Sequence, residues 1–321
     1  MRATLLLTLG LACGVALNAA AQEYPQKPIR LIIPFAPGGS NDIIGRLLAT
    51  RLTETLSQQV IPDNRAGAGG SIGAELAAKA PPDGYTLVIG HIGTLAVNPT
   101  LYPKLAYNPT TDFAPISTIA KVANILVEHP ALPVKSVSEL VAFAKANPGK
   151  LVYGSGGTGG AAHLAMEYFK LLAKVDIRHI PYKGTGPALV DLLAGQTQLV
   201  FAGVPGIVNH VKSGKLRALG VSTSKRLAVF PDVPTIIEGG VAGYEATQWY
   251  GVLAPAGTPA PIIDKLHREI VAWVGTKQLQ ERLVADGSEP FTTKPDEFMA
   301  FIKSETARWA PVIKSANIGA N

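Results

Sequence analysis

The 321-residue chain carries 29 Lys and Arg against 23 Asp and Glu, a formal net charge of +6, and 47% of its residues are hydrophobic. That length suits about two domains of roughly 150 residues each, and a single cysteine excludes an intramolecular disulfide. The basic residues stand singly rather than as a stripe interleaved with aromatics, so nucleic acid is not an expected partner.

In chain order, Arg2, an apolar run over 4–17 and the small residues Ala19, Ala20 and Ala21 ahead of Gln22 read as a secretory signal cleaved near Ala21. The run is too short to span a bilayer, and a lipoprotein signal at Cys13 would want leucine where Gly10 stands. The expected location is the periplasm. The mature chain keeps 300 residues with 28 Lys and Arg against 23 Asp and Glu, and it has no cysteine, hence no thiol nucleophile.

Apolar runs at 29–35, 60–63, 87–90, 114–119, 125–127, 151–153, 177–180, 199–202, 216–221 and 249–254 are predicted strands. Between them lie helical patterns, such as Ile43, Ile44, Leu47, Leu48, Leu52 and Leu56 on one face. Ser136 and Glu139 form a capping box, Pro261 suits a first helical turn, and Gly195, Gly214 and Gly287 stand where helices end. Alternating strand and helix predicts α/β architecture with mainly parallel central sheets and helices on both faces.

Ligands of such sheets bind beyond the carboxyl ends of strands, and there the chain is glycine-rich. The runs are Pro34 to Asp42 after the first strand, His91 to Thr94 after the third, Gly154 to Gly160 in mid-chain, and Pro181 to Gly186. Glycine lets backbone approach a ligand, and a helix start presents unpaired N–H groups with partial positive charge. Each loop is a candidate carboxylate seat, the alternative being a tight turn. Hydrogen bonds to a charged group contribute about 1.5 to 3 kcal/mol each, so two or three supply much of a micromolar affinity without a buried arginine.

Enzyme readings lack their sets. Gly154, Gly156 and Gly159 satisfy Gly-x-Gly-x-x-Gly, but a dinucleotide turn wants an acid at the end of the next strand, where Pro181-Tyr182-Lys183 stands; Asp176 precedes that strand. Ser155 lacks the hydrolase elbow because Tyr153 stands where its first glycine belongs. The six histidines form no His-x-x-x-His or His-Glu-x-x-His pair. Neither a catalytic set, a metal nor a cofactor is expected.

Several motifs recur in a recognisable order: Tyr24-Pro25, Lys27-Pro28-Ile29-Arg30, Pro34-Phe35 with Pro37-Gly38-Gly39 and Asp42, and Asp63-Asn64-Arg65 with Gly67, Gly69 and Gly70. Pro82 to Leu87, His179 to Gly184 and Phe230 to Thr235 follow. Together they resemble the Bug solute-receptor family, the periplasmic components of tripartite tricarboxylate transporters, over essentially the whole mature chain. The resemblance implies a type II periplasmic-binding-protein fold: two lobes joined by two crossover segments, closing on a small carboxylate. It points to Phe35, Ala36, Gly38, Gly39 and Ser40 in one lobe, to Ser155, Gly156, Thr158 and Gly159 in the other, and to the Tyr182 and Lys183 backbone. Selectivity is expected from less regular positions: His91, Thr94, Phe201, Gly203 and Trp249. Asp42 reads as a structural cap, since it would repel an anion.

The expected lobes are 22–122 with 222–321, and 123–221, hinged near 119–122 and 221–223, with the C-terminal helical run packed on the first. The expected partners are a small carboxylate (dicarboxylate, acidic amino acid or aromatic acid) and membrane transporter components, the receptor itself being a monomer. The alternatives are an orphan carboxylate receptor acting in signalling and, more remotely, a nucleotide-dependent enzyme.

Overall fold

The computed structural model describes residues 24–316 and residue 318, so the signal segment and its cleavage point lie outside the described residues. The chain begins with β1 (Ile29–Ile33), α1 (Ser40–Leu56), β2 (Val60–Asn64), α2 (Ser71–Ala78), β3 (Thr86–His91), α3 (Asn98–Leu101) and β4 (Phe113–Val122). There follow β5 (Asn124–Glu128), α4 (Val137–Ala146), β6 (Val152–Ser155), α5 (Ala161–Ala173), β7 (Arg178–Pro181), α6 (Thr185–Leu193), β8 (Leu199–Gly203), α7 (Val208–Lys212) and β9 (Arg217–Val221). It ends with β10 (Gln248–Pro255), α8 (Ala260–Val274), α9 (Lys277–Ala285), β11 (Ser288–Pro290) and α10 (Pro295–Ser315).

Local chemistry sets these boundaries. Leu48, Leu52 and Leu56 of α1 are buried together with Ile29, Leu31 and Ile33 of β1, the face that the helical period predicts. The Ser136 hydroxyl accepts the Glu139 N–H at 3.1 Å, while the Glu139 carboxylate reaches one residue further back, to the Lys135 N–H at 2.6 Å. Gly195, Gly214 and Gly287 all have φ between 65° and 72° and end their helices in the left-handed conformation.

Two sheets result, in the orders β11-β4-β10-β3-β1-β2 and β7-β6-β8-β5-β9. The expected parallel arrangement holds within β2-β1-β3 and β7-β6-β8. The strands that carry the chain between lobes run against it: β10 is antiparallel to β3 and β4, and β5 is antiparallel to β8 and β9. A strand arriving directly from the other lobe has no crossover helix to turn it round, so it enters its sheet reversed.

The first crossing is the direct passage from β4 through Ala123 into β5. The second is not at 221–223 as expected. After β9, Thr235 pairs with Val221 in a parallel bridge, and Leu227, Val229 and Val233 pack on the core that contains Leu189, Val204 and Phe230. These side chains keep the strap over 223–246 on the second lobe, and the first sheet resumes only at Gln248. β11 escaped the sequence reading because three residues, Ser-Glu-Pro, form an edge strand with no period.

The C-terminal helix α10 buries Phe298, Ile302, Trp309 and Ile313. Its Glu305 accepts the Trp249 indole N–H at 3.0 Å. Trp309 also stands edge-on to Tyr168 of α5, centroids 5.6 Å apart, so the helix touches the second lobe as well as the first. Replacing a fully buried tryptophan by alanine costs about 3 to 5 kcal/mol. Trp309→Ala is therefore predicted to lose that much stability in urea unfolding; a midpoint equal to the wild type's would show that α10 does not hold the lobes.

Candidate functional site

Three helices begin at one cavity. α1 starts behind Gly39, α5 behind Gly160 and α6 behind Gly184. Ser40 and Asn41, Ala161 and Ala162, and Thr185 all line the same space, about 20 Å³, room for roughly one water. First-turn N–H groups have no carbonyl behind them, and each helix start carries partial positive charge. An anion seat is thus assembled from both lobes.

Its walls are neutral. Gly203 closes one side because Ser40 and Gln248 press against it: a Cβ there would lie 2.3 Å from Ser40 Oγ and 2.6 Å from Gln248 Nε2. Gln248 donates to Asn124 Oδ1 at 2.6 Å and accepts from the Tyr250 hydroxyl at 2.5 Å, so one buried amide chain joins the two crossing segments. Phe35 and His91 sit with ring centroids 4.6 Å apart. Burial pushes His91 down to about 3. The neutral ring accepts the Thr94 N–H at Nδ1, 3.2 Å, which puts its proton on Nε2. Ser40 Oγ and Asn41 Oδ1 are buried without a partner, an arrangement that calls for a ligand or water.

Of the residues singled out from sequence, Phe35, Ser40, His91, Gly156 and Gly203 line the cavity. Ala36, Gly38 and Gly39 instead form a seam with the other lobe. The Ala36 N–H donates to the Lys183 carbonyl at 2.9 Å, and ideal Cβ atoms on Gly38 and Gly39 would lie 3.6 Å from Gly186 Cα and 3.4 Å from Thr185 Cβ. Thr158 and Gly159 belong to the same seam: Tyr102 donates to the Thr158 carbonyl at 2.8 Å, and a Cβ on Gly159 would meet Asn98 Oδ1 at 2.4 Å. Lys183 takes part through its carbonyl. Thr94 stands behind His91, and Ser155 lies under the glycine loop with Oγ 2.6 Å from His179 Nε2.

Four assignments are corrected. Phe201 is fully buried between Phe169 and Tyr244, at 6.2 and 5.8 Å, because its strand position faces the core rather than the cleft. Trp249 points away from the cavity, the opposite side of β10 from Gln248 and Tyr250, as strand alternation demands. Tyr182, expected to act through its backbone, does not line the cavity: its N–H donates to the Ser155 carbonyl at 3.0 Å, and its hydroxyl donates to Asp191 at 2.5 Å. Asp42 is structural but not the cap it was read as, because Gly39 holds the cap position and Asp42 lies in the first turn of α1, where it accepts Gly38 N–H at 3.1 Å, Asn64 Nδ2 at 3.0 Å and Arg46 Nε at 2.9 Å. Burial alone would raise its carboxyl, and these hydrogen bonds hold it below the ordinary value.

Asn41, Gly160 and Thr185 lay inside the candidate loops without being singled out, and sequence reasoning missed Ala161, Ala162, Gln248 and Tyr250. The signal for the helix-start residues was present, since each follows a cap glycine. A larger cavity of about 530 Å³ lies against Trp249, between the strap and α10, but none of its lining residues begins a helix.

Residues 44–318 match the family described as the tripartite tricarboxylate transporter family receptor, TctC. The chain is 41% identical over 302 residues to protein BugT of Bordetella pertussis, covering 94% of this chain and 93% of that one. A solved R. palustris protein with adipate is similar at a TM-score of 0.90 and 39% identity, over 92% of this chain and 99% of that chain. MatC from Rhodopseudomonas palustris with bound malate is similar at 0.85 and 32%, over 90% and 100%. This chain therefore belongs to the tripartite tricarboxylate transporter receptor family, whose members are periplasmic solute-binding proteins rather than enzymes.

Proposed function

We propose that this chain captures a small organic carboxylate between its lobes and presents it, as a monomer in the periplasm, to the membrane components of a tripartite tricarboxylate-type transporter. The observation that carries this reading is the convergence of three helix starts on a cavity lined by no charged side chain, given that burial keeps His91 neutral. Such a site attracts one negative group and binds it through backbone N–H groups. The similar proteins solved with adipate and malate support a carboxylate as that group. The lobes we infer are residues 22–122 with 248–321, and 123–247, after removal of a signal near Ala21.

In this scheme Ser40 and Asn41 offer the first seat, and closure adds Ala161, Ala162 and Thr185. Three hydrogen bonds to a carboxylate at about 1.5 to 3 kcal/mol each reach the roughly 8 kcal/mol of a micromolar complex. Only contacts made in the closed form shift the equilibrium toward it. The cavity has room for about one water, so an acid of several carbons enters with the lobes parted.

A thermal-shift screen of malate, adipate, acidic amino acids and aromatic acids, with nicotinamide nucleotides alongside, tests the ligand class. At a hundred times its dissociation constant a true ligand adds about 2.7 kcal/mol, a rise of roughly 4 °C for a chain of this length. A response confined to nucleotides would sink the proposal.

Closure has its own test. A Cβ on Gly186 would meet the Pro37 carbonyl oxygen of the other lobe at 2.1 Å. Gly186→Ala is predicted to part this seam: the helix preference of alanine offsets only part of the lost contacts, so the protein should melt no higher than the wild type, while its affinity for the responding acid falls about tenfold or more. Undiminished affinity would mean that binding does not need this closed seam.

A further inference from the structure

We propose that His163 and His179 are positioning residues for the ligand cavity: stacked beneath the glycine loop after β6, they hold residues 155–160 in the shape that aims the start of α5 at the bound acid. The inference rests on the reading of the cavity as a carboxylate seat, and it assigns a role to a pair of side chains that do not line it.

The geometry is specific. The two imidazole rings stack with centroids 4.2 Å apart, and Tyr153 extends the stack with its ring 4.7 Å from His179. His163 Nδ1 accepts the Gly159 N–H at 3.1 Å. Ser155 Oγ accepts the Gly157 N–H at 3.1 Å and lies 2.6 Å from His179 Nε2, to which its own proton can go. Two loop amides, on either side of Thr158, are thus satisfied through the histidine pair, one directly and one by way of Ser155. Gly157 and Gly159 have φ of 117° and 85°, conformations that tolerate little but glycine and need outside support to persist. Directly after them, Gly160, Ala161 and Ala162 line the cavity.

The Gly159 bond requires a neutral His163, since a protonated Nδ1 cannot accept, and a neutral His179 leaves Nε2 free to take the Ser155 proton. Burial pushes His163 down to about 4 and His179 to about 3, with the neighbouring His163 opposing charge on His179. The charged groups facing the pair are Glu167 and Lys170 of α5, themselves joined at 2.7 Å; Lys170 opposes protonation of both rings, and Glu167, which also accepts the Tyr153 hydroxyl at 2.6 Å, favours it at His179. The folded values lie below the ordinary 6.5, so the neutral pair stabilises the protein fully above pH 6.5. That contribution fades as pH falls from 6.5 toward 4, because the unfolded chain takes up the protons, whereas the Gly159 bond in the folded protein persists until pH approaches 4, where His163 itself becomes protonated.

The test separates the acceptor from the stack. In ¹⁵N NMR of the ligand-free protein at pH 7, His163 should be the neutral Nε2–H tautomer, and the Gly157 and Gly159 amides should be protected from exchange. His163→Phe keeps a ring and removes the acceptor, so Gly159 should lose its protection and malate or adipate should bind about tenfold more weakly. His163→Asn, whose side-chain oxygen sits near the Nδ1 position, should restore both. For the partner, His179→Phe should release Gly157, and His179→Gln should recover it.

A protonated or Nδ1–H His163 at pH 7 overturns the proposal, as does a His163→Phe variant with Gly159 as protected as in the wild type. If the wild type binds none of the screened acids while the amides behave as stated, the loop assignment stands and the carboxylate reading falls.

Discussion

The first N–H groups of a helix must find a partner outside the helix, and in this protein three helices turn that requirement on the same point. α1 comes from one lobe, α5 and α6 from the other, and their starts meet at a cavity with no charged side chain in its lining beyond a histidine that burial keeps neutral. The rest of the arrangement serves that convergence. Asp42 ties the loop before α1 by accepting Gly38 N–H, and it gathers Arg46 and Asn64 around itself, so that its charge is satisfied away from the anion seat. The amide chain Asn124–Gln248–Tyr250 fixes the crossing segments against one another at the cavity floor without adding charge. A seat made of dipoles has a second consequence: it attracts negative charge without a buried arginine, whose bidentate pairing would grip more tightly.

The seam between the lobes explains why glycine is so frequent here. An ideal Cβ on Gly69 would lie 2.1 Å from the Thr158 carbonyl oxygen, and one on Gly184 2.8 Å from the Ala36 nitrogen. These approaches are between backbones of opposite lobes, so a side chain at either position is a spacer that props the cleft. Gly203 answers to a different pressure, the side chains of Ser40 and Gln248. Glycine in these loops thus has two functions, admitting the ligand and admitting the opposite lobe, and a sequence motif alone does not separate them.

That ambiguity marks how far the sequence could be read. All ten predicted strands form: runs such as Ile29–Ile33 and Leu199–Gly203 are apolar and fully or almost fully buried, while Arg178–Pro181 is polar and forms at the sheet edge. The C-cap glycines and the capping box were likewise local signals. Cavity-lining residues were legible where they sat inside the glycine runs, as with Ser40 and Gly156, and illegible where tertiary position decided. Gln248 and Tyr250 face the cavity while Trp249 faces away, and the run Gln-Trp-Tyr shows no apolar alternation from which to choose a face. Phe201 misled for the same reason: a strand end by sequence, a core position by packing. The strap over 223–246 carried no period, so its allegiance to the second lobe rested on side chains such as Val229 and Val233 whose partners lie far along the chain.

The lobes are not independent outside the cleft. One continuous apolar cluster runs from Val88 and Leu95 in the first lobe through Phe298, Ile302 and Trp309 of α10 to Phe169 and Phe201 in the second. A hinge motion that opens the cleft must slide or bend this cluster, because Trp309 cannot keep its edge contact with Tyr168 while α10 stays fixed on β4 and the lobes rotate freely. Close-packed interiors resist gradual deformation, so such an interface favours a few discrete arrangements over a continuum. The open and closed forms are then distinguished on two sides of the hinge at once: at the glycine seam, where backbones meet, and at α10, where aromatic rings pack.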